Sequence, residues 1–496
     1  MGSSLTNDEQ AHLKALDWLK SGPKKLLIGG EWQPALSGKT FPSLNPATEE
    51  LLVEVAQADR ADVDAAVLAA RRAFEAPSWS GISPHARTRW LLKIADMIEA
   101  NAEELSVLET LDNGMPLKSA RAKSLAAAET FRYYAGWCSK IFGRTDPWES
   151  SGFLYTLREP MGVCGQINAW NVPLATAAIK IATALSCGNT VVFKPAEQAP
   201  LTTIRLGELI QETGLPPGVV NILPGMGPGA GAAIAGHPGI DKVAFTGSTL
   251  TGKQILQSSI GNLKKVTLEL GGKSPNIIFP DADLDKAVQA AANSFCNNSG
   301  QICSAGTRLF VHESIQNEVA ERVTKIAAAY KVGSPFDPDT HLGPLISDRQ
   351  MERVLSYVGY GEEGGAKLAM GGSRASGRGY FVEPTVFTGV SNDMRIAREE
   401  IFGPVLSIIP FRDEEDAVFQ GNDTEYGLAA AVWTRDISRA HKVARALKSG
   451  RVWINTYGQS GPIMSFGGYK QSGYGREQGA ESIEAYTQTK SVLLAL

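Results

Sequence analysis

Three short segments carry residues that could do chemistry. In "GQICSAG", Gly300 to Gly306, the thiol of Cys303 sits among small residues, with no CxxC, histidine cluster or disulfide partner nearby. A thiolate is a strong nucleophile at neutral pH, and small neighbours let an electrophilic carbonyl approach closely. In "LELGG", Glu269 lies between Leu268 and Leu270 at the end of a hydrophobic strand. Such a site raises a carboxyl pKa toward general-base range, although a salt-bridged strand-end glutamate is the commoner case. In "AFTGSTLTGKQIL" a strand ends at Phe245, Gly247 allows a tight turn, and Ser248 or Thr249 can cap a helix whose free N–H groups hold a phosphate. An ordinary capped helix would read the same way. "GMGPGA" spaces Gly225, Gly227 and Ala230 as G-x-G-x-x-A, but its glycines and prolines fit a plain loop equally well.

These residues need a frame to hold them. The chain of 496 residues is too long for one ordinary core, so two or three domains are expected. From about 160 to 270, "MGVCGQINAW", "NTVVFKPAE", "GVVNILPG", "DKVAFTGS" and "KKVTLELGG" read as short buried strands separated by helical stretches. That alternation implies a parallel sheet with ligands at the carboxyl ends of its strands. A second α/β stretch runs from about 270 to 455 through "SPNIIF", "TRLFVHE", "PVLSIIPF", "LAAAVWT" and "GRVWINT". Upstream, Val63, Val67, Ala70 and Phe74 mark one helical stripe, and Leu91, Ile94, Ile98 and Leu105 mark another. "FLYTLRE" alternates like a strand after the breakers Pro147 and Gly152.

Composition excludes several function classes. A net charge of -4 gives no electrostatic case for nucleic acid or an acidic membrane surface. Five irregularly spaced cysteines argue for a reducing compartment and against a disulfide framework. No apolar run approaches the ~18 residues of a membrane helix. Gly2 and Thr6 fit the loose myristoylation pattern, but a polar, frayed start explains them without a lipid. A soluble, cytoplasmic protein is expected.

Further segments sharpen the reading. "LELGGKSPNIIF" (268–279), "GQICSAGTR" (300–308), "EIFGPV" (400–405), "WNVPL" (170–174), "FKPAE" (193–197) and "FGGYKQSGYGRE" together resemble the aldehyde dehydrogenase superfamily, in order and approximate spacing. The resemblance covers the chain from about residue 25 to its end. It implies an α/β fold with a Rossmann-like NAD-binding domain (1–140 and 161–269), an α/β catalytic domain (270–470) and small β oligomerisation segments (141–160 and 471–496). The implied activity is NAD-dependent oxidation of an aldehyde to the acid.

By that resemblance Cys303 attacks the aldehyde, and the side-chain amide of Asn171 with the Cys303 N–H holds the oxyanion. Glu269 activates the water that hydrolyses the thioester. Lys194 and Glu197 face the adenosine ribose, where the Glu197 carboxylate would repel a 2′-phosphate and so favour NAD over NADP. Glu400 and Phe402 hold the nicotinamide ribose and ring, with Trp170 and Gln350 as weaker contacts. Ile167, Gly227, Phe245, Gly247, Ser248 and Thr251 complete the cofactor-binding set, and no metal is implied. The partners expected are a small-molecule aldehyde and further copies of the chain in a dimer or tetramer, assembled through "FLYTLRE" and the tail "EAYTQTKSVLLAL".

The chain departs from the family's common pattern around the pocket. Val172 stands where an aromatic is frequent, the following helix carries Ala175, Thr176 and Ile179, and Cys296 and Asn297 replace frequent aromatics before the nucleophile. With Tyr457, Ser460 and Gly461 in the late loop, a wide and rather polar tunnel is expected, suited to aromatic or terpenoid aldehydes. No strong cationic cluster points to a carboxylate-bearing semialdehyde, with Arg308 and Arg451 the residues that would reverse this. A redox-silent thiol hydrolase would need a histidine beside Cys303, and none of the six histidines lies in such a motif. Acyl release to coenzyme A is disfavoured by the presence of Glu269, and a non-catalytic structural role by the presence of both Glu269 and Cys303.

Overall fold

The computed structural model describes residues 7–149, 151–375 and 377–495; the Gly2 and Thr6 pattern lies outside them. Two large sheets organise the chain. The first has eight strands in the order Gly473–Tyr474, Lys265–Glu269, Lys242–Thr246, Val163–Ile167, Thr190–Lys194, Val220–Ile222, Leu26–Ile28, Glu31–Gln33. Its five central strands are parallel and the three at its edges antiparallel. Val163–Ile167 and Thr190–Lys194 are buried at every position, as befits strands covered on both faces. The helix Pro173–Ser186 follows the first of them, started by a proline at its first position and buried along most of its length.

The second sheet has seven strands, Lys367–Met370, Thr385–Thr388, Val405–Phe411, Arg308–His312, Pro275–Ile278, Ala429–Trp433 and Arg451–Ile454 in that order. All its pairs are parallel except the one at the Lys367–Met370 edge. Every strand expected from the sequence between 160 and 455 is present. Gly152–Pro160, the "FLYTLRE" strand, pairs antiparallel with Thr487–Ala495 along its whole length and with the short Thr145–Asp146 at its tip.

One reading needs adjustment. The stripe through Leu91, Ile94, Ile98 and Leu105 belongs to two helices, Pro84–Ala100 and Ala102–Asn113. Asn101 separates them, and its side-chain amide donates to the Met97 carbonyl at 2.8 Å. The apolar spacing continues across the break, which is why periodicity alone missed it. Gly473–Tyr474 extend the first sheet, and the tail strand that pairs with Gly152–Pro160 is Thr487–Ala495.

Candidate active site

In the first sheet the chain winds outward from Val163–Ile167 through Thr190–Lys194 to Val220–Ile222, then returns to the other side at Lys242–Thr246. The strand order therefore reverses between Val163–Ile167 and Lys242–Thr246, where the carboxyl ends of neighbouring strands splay and leave a crevice. A cavity of about 1390 Å³ opens there. Trp170 and Asn171 follow the first of these strands, Gly247 and Ser248 the second, and Glu269 ends the next; all line the cavity. The facing wall comes from segments that precede strands of the second sheet: Cys303 before Arg308–His312, and Glu400 and Phe402 before Val405–Phe411.

The loop that carries Cys303 is built from a strained run. Asn298 and Ser299 have φ of 50° and 54°, and Gly300 follows at 74°. Two successive non-glycine residues in the left-handed region are costly and persist only where the surroundings fix them. Here Ser299 Oγ donates to the Gly343 carbonyl at 2.7 Å, and Asn298 Nδ2 to the Asn171 carbonyl at 2.9 Å. Asn171 Nδ2 donates to the Gln301 carbonyl at 2.9 Å, which leaves its second N–H free beside the cysteine loop. Gly272 lets that loop pass: a Cβ there would lie 2.5 Å from the Cys303 carbonyl oxygen. Burial first, then Glu400 and Glu269, push the Cys303 thiol up to about 12. That direction favours the protonated thiol at rest.

Glu269 is 3% exposed, and neither carboxylate oxygen has a hydrogen-bond partner. Burial and the neighbouring Glu477 hold its pKa well above the usual carboxylate range, against weaker pulls from Lys180, Arg476 and Arg451. Glu477 forms a buried ion pair with Lys180 of the Pro173–Ser186 helix. A carboxyl left unbonded in a cavity beside a thiol is poised to accept a proton.

At the end of the Thr190–Lys194 strand, Lys194 is 2% exposed and its Nζ pairs with Glu197 Oε2 at 3.0 Å. A Cβ on Gly227 would lie 3.9 Å from Glu197 Oε1 and one on Gly231 3.5 Å from Lys194 Cδ, so the glycine-rich turn runs beside this pair. Ser248 caps the Thr249–Ser258 helix, its Oγ accepting from the Thr251 N–H at 3.2 Å and lying 2.9 Å from the Thr251 hydroxyl. The Glu400 carboxylate accepts from the Gly272 N–H at 3.0 Å and lies so close to Gly271 that a side chain there would collide with it. Phe402 has φ of 61° and meets Trp170 edge-on with centroids 5.2 Å apart. Gln350 Nε2 donates to the carbonyls of Ile401 and Phe402, which makes it a positioning residue for that strained segment. Cys303, Glu269, Asn171, Trp170, Gly247, Ser248, Gln350, Glu400 and Phe402 thus share one cavity, whereas Ile167, Lys194, Glu197, Gly227, Phe245 and Thr251 lie outside its lining.

Of the residues read as tunnel walls, Val172, Thr176, Ile179, Asn297, Tyr457 and Ser460 line the cavity; Ala175, Cys296 and Gly461 do not. Cys296 packs in a hydrophobic cluster behind it. Arg308 is wholly buried away from the site, donating to the carbonyls of Lys273, Gln420 and Gly421, but Arg451 lines the cavity. The sequence reading missed Lys180, Glu477, Asn298 and Lys123. "NNSG" before the nucleophile was a usable signal, since Asn and Gly favour the left-handed region. Lys180 and Glu477 lie 297 residues apart and had none. Among the described residues no group of histidine, cysteine or acidic side chains is arranged to hold a metal.

A sequence profile of the Aldehyde dehydrogenase family matches residues 32–492. Human retinal dehydrogenase 2 is 50% identical over 476 residues, 95% of this chain and 92% of its own. Human mitochondrial aldehyde dehydrogenase is 50% identical over 472 residues, 94% and 91% of the two chains. The NAD+ complex of an aldehyde dehydrogenase from Bacillus cereus superposes with a TM-score of 0.97 at 48% identity, over 99% of both chains.

Proposed function

The chain belongs to the aldehyde dehydrogenase family, and from that premise we propose that it oxidises an aldehyde to the carboxylic acid with NAD as hydride acceptor. The observation that carries the reading is the unpartnered, buried Glu269 carboxyl in one cavity with Cys303. The residues present fit the cofactor: a capped helix start at Ser248, a Lys194–Glu197 pair that offers a donor and an acceptor to ribose hydroxyls, and Glu400 in its glycine cradle. NAD, when bound, supplies a two-electron acceptor for the aldehyde hydrogen. Ser248, Glu197, Glu400 and Phe402 would hold it.

The chain's own residues do the rest. Because burial keeps the Cys303 thiol protonated, attack on the carbonyl carbon requires that its proton leave. In its carboxylate form Glu269 takes it, and gives it up to water in the cavity before the second half of the reaction. As the C–S bond forms, the carbonyl oxygen gathers negative charge and is held by the free N–H of Asn171 and the backbone N–H of Cys303. Loss of hydride leaves a thioester. Glu269, deprotonated again, removes a proton from water as its oxygen attacks that carbon, and the acid leaves as the C–S bond breaks.

The wide cavity with Val172, Thr176 and Ser460 in its lining supports a bulky aromatic or terpenoid aldehyde. Retinal dehydrogenase 2, at 50% identity, is named for one such substrate. A dimer or tetramer is supported by exposed Phe153, Leu157, Leu493 and Leu494 on the strands Gly152–Pro160 and Thr487–Ala495, a costly surface to leave in water. A monodisperse monomer in light scattering at micromolar concentration would rule the oligomer out. The five free cysteines, four of them buried, fit the reducing cytoplasm. The activity test is absorbance at the NADH band over a panel of aldehydes, with and without coenzyme A. NADH formation independent of coenzyme A is expected; none with any aldehyde would sink the reading.

A further inference from the structure

The cavity's far wall holds a cation without an anion. Arg451 opens the Arg451–Ile454 strand, is 6% exposed, and lines the cavity with Trp453, Ser460 and Phe466. Its terminal nitrogens donate only to neutral oxygens: Ser460 Oγ at 3.3 Å, the Met464 and Ser465 carbonyls at 2.7 and 3.0 Å, and Gln478 Oε1 at 3.2 Å. Its Nε–H is buried and has no partner. A guanidinium held out of water without a counter-charge is unfavourable, because Coulomb attraction is what normally offsets lost hydration.

Among the described residues no carboxylate pairs with the guanidinium; Cys303 and Glu269 act on Arg451 only through space, and Glu477 is already paired with Lys180. At the rim, Asp285 is already paired with Arg322. A second cation, Lys123, reaches the same cavity, and among the described residues none accepts a hydrogen bond from its ammonium.

Resting on the aldehyde oxidation argued above, we propose that Arg451 is a specificity residue that selects an aldehyde carrying a carboxylate at its far end, bound where the guanidinium lines the cavity, with Lys123 adding its charge. A hydroxyl or neutral carbonyl would fill the hydrogen bond and leave the charge unanswered. A carboxylate answers both. The large cavity leaves room for an aromatic or branched body between the two ends.

Matched pairs test this. We would measure kcat/KM with NAD for 4-formylbenzoate against its methyl ester, and for 4-oxobutanoate against its methyl ester, in the wild type, Arg451→Gln and Arg451→Lys. The acid should be preferred about 10- to 100-fold in at least one pair. In Arg451→Gln the acid should lose more than the ester, so that the gap closes to within about threefold, through KM rather than kcat; Arg451→Lys should keep part of the gap. Equal use of acid and ester by the wild type in both pairs overturns the proposal. So does an equal loss for acid and ester in Arg451→Gln, the result expected if Arg451 only holds the Met464 and Ser465 loop. Turnover of benzaldehyde without turnover of either acid overturns it as well. If Arg451→Gln fails to fold, the wild-type ratios decide alone. No NADH from any of these aldehydes would remove the oxidation reading, and the specificity proposal with it.

Discussion

Both large sheets are parallel, yet they meet the cavity with opposite edges. The first presents its carboxyl ends, with Asn171, Gly247, Ser248 and Glu269 all just past or at the end of a strand. The second presents its amino ends: Cys303, Glu400, Phe402 and Arg451 stand before or at the start of one. Carboxyl ends are where a parallel sheet naturally opens, because helices begin there and offer free N–H groups. Amino ends offer no such dipole, so the second sheet supplies chemistry through side chains on loops that must be pinned by other means. The left-handed runs at Asn298–Ser299 and Phe402 are those pins. On the function proposed above, one edge binds by backbone and the other reacts by side chain.

If that division is right, the largest losses come from the second edge. Cys303→Ala should lower aldehyde-dependent NADH formation at least ~10³-fold, as removal of a covalent nucleophile does. Cys296→Ala, buried behind the wall in a hydrophobic cluster, should keep most of the activity. Appreciable turnover by Cys303→Ala in the same assay would mean that no covalent step passes through this loop.

Glu269 is the exception that sharpens the contrast, a reacting side chain on the binding edge. In Glu269→Gln the thioester should form and then wait, giving a rapid burst of NADH followed by turnover slowed ~10²-fold or more. The wild-type steady-state rate should fall as pH falls, because the working form is the deprotonated carboxylate. That limb should lie well above the ordinary glutamate value of about 4.3, since burial and Glu477 raise the Glu269 pKa. Burst and steady state slowed equally in the variant would assign Glu269 another task.

The two edges also differ in what a reader of the sequence could find. The strands "VCGQI", "TVVFK" and "KVAFT" announce themselves as buried parallel strands, and the crevice at their carboxyl ends follows from general geometry. Gly247 and the Ser248 cap were readable for the same reason. Nothing general points to the amino ends of the second sheet. Glu400 and Phe402 were legible only through resemblance, and Cys303 needed it to stand apart from a packed thiol; that the Gln350 amide holds the Ile401 and Phe402 carbonyls was not legible at all. Lys180 and Glu477 were illegible because a pair so distant in sequence exists only once the fold closes. Arg451 was visible as a charge, but its missing counter-charge is a property of the packed cavity.

A smaller effect tests the binding edge directly. Placing a 2′-phosphate, with its charge of about -1.5 to -2, about 4 Å from the Glu197 carboxylate costs roughly 4 kcal/mol per charge pair at an effective dielectric of 20. Lys194 Nζ, 3.0 Å from that carboxylate, offsets part of it. A net preference for NAD of about five- to 150-fold in kcat/KM is expected, equivalent to ~1–3 kcal/mol. Glu197→Gln should narrow the gap chiefly by improving NADP. An unchanged ratio at low and moderate salt would move the discrimination elsewhere on this edge.

The smallest effect concerns what stands behind the binding edge. The helix Ala102–Asn113 carries two wholly buried carboxyls, Glu109 and Asp112, and ends at Asn113, whose amide donates to the Trp170 carbonyl at 2.6 Å. Glu109 accepts from the Thr202 hydroxyl at 2.8 Å while its other oxygen is unpartnered; Asp112 accepts from Ser43 Oγ at 2.6 Å and the Leu201 N–H at 2.8 Å. Burial raises Glu109 to about 8 and Asp112 to about 7. Both folded values exceed the unfolded ones, so the folded chain holds these protons more tightly. The stability this contributes is complete below about pH 4 and is lost progressively as pH rises toward the folded values of about 7 and 8. Glu109→Gln cannot ionise and escapes its share of that loss. Its apparent melting temperature should equal or fall slightly below the wild type at pH 5 and exceed it by about 2–4 °C at pH 8.5, at one fixed scan rate. Two melting curves that run parallel from pH 5 to 8.5 would show that Glu109 does not titrate there, and that the wall behind Trp170 is indifferent to pH.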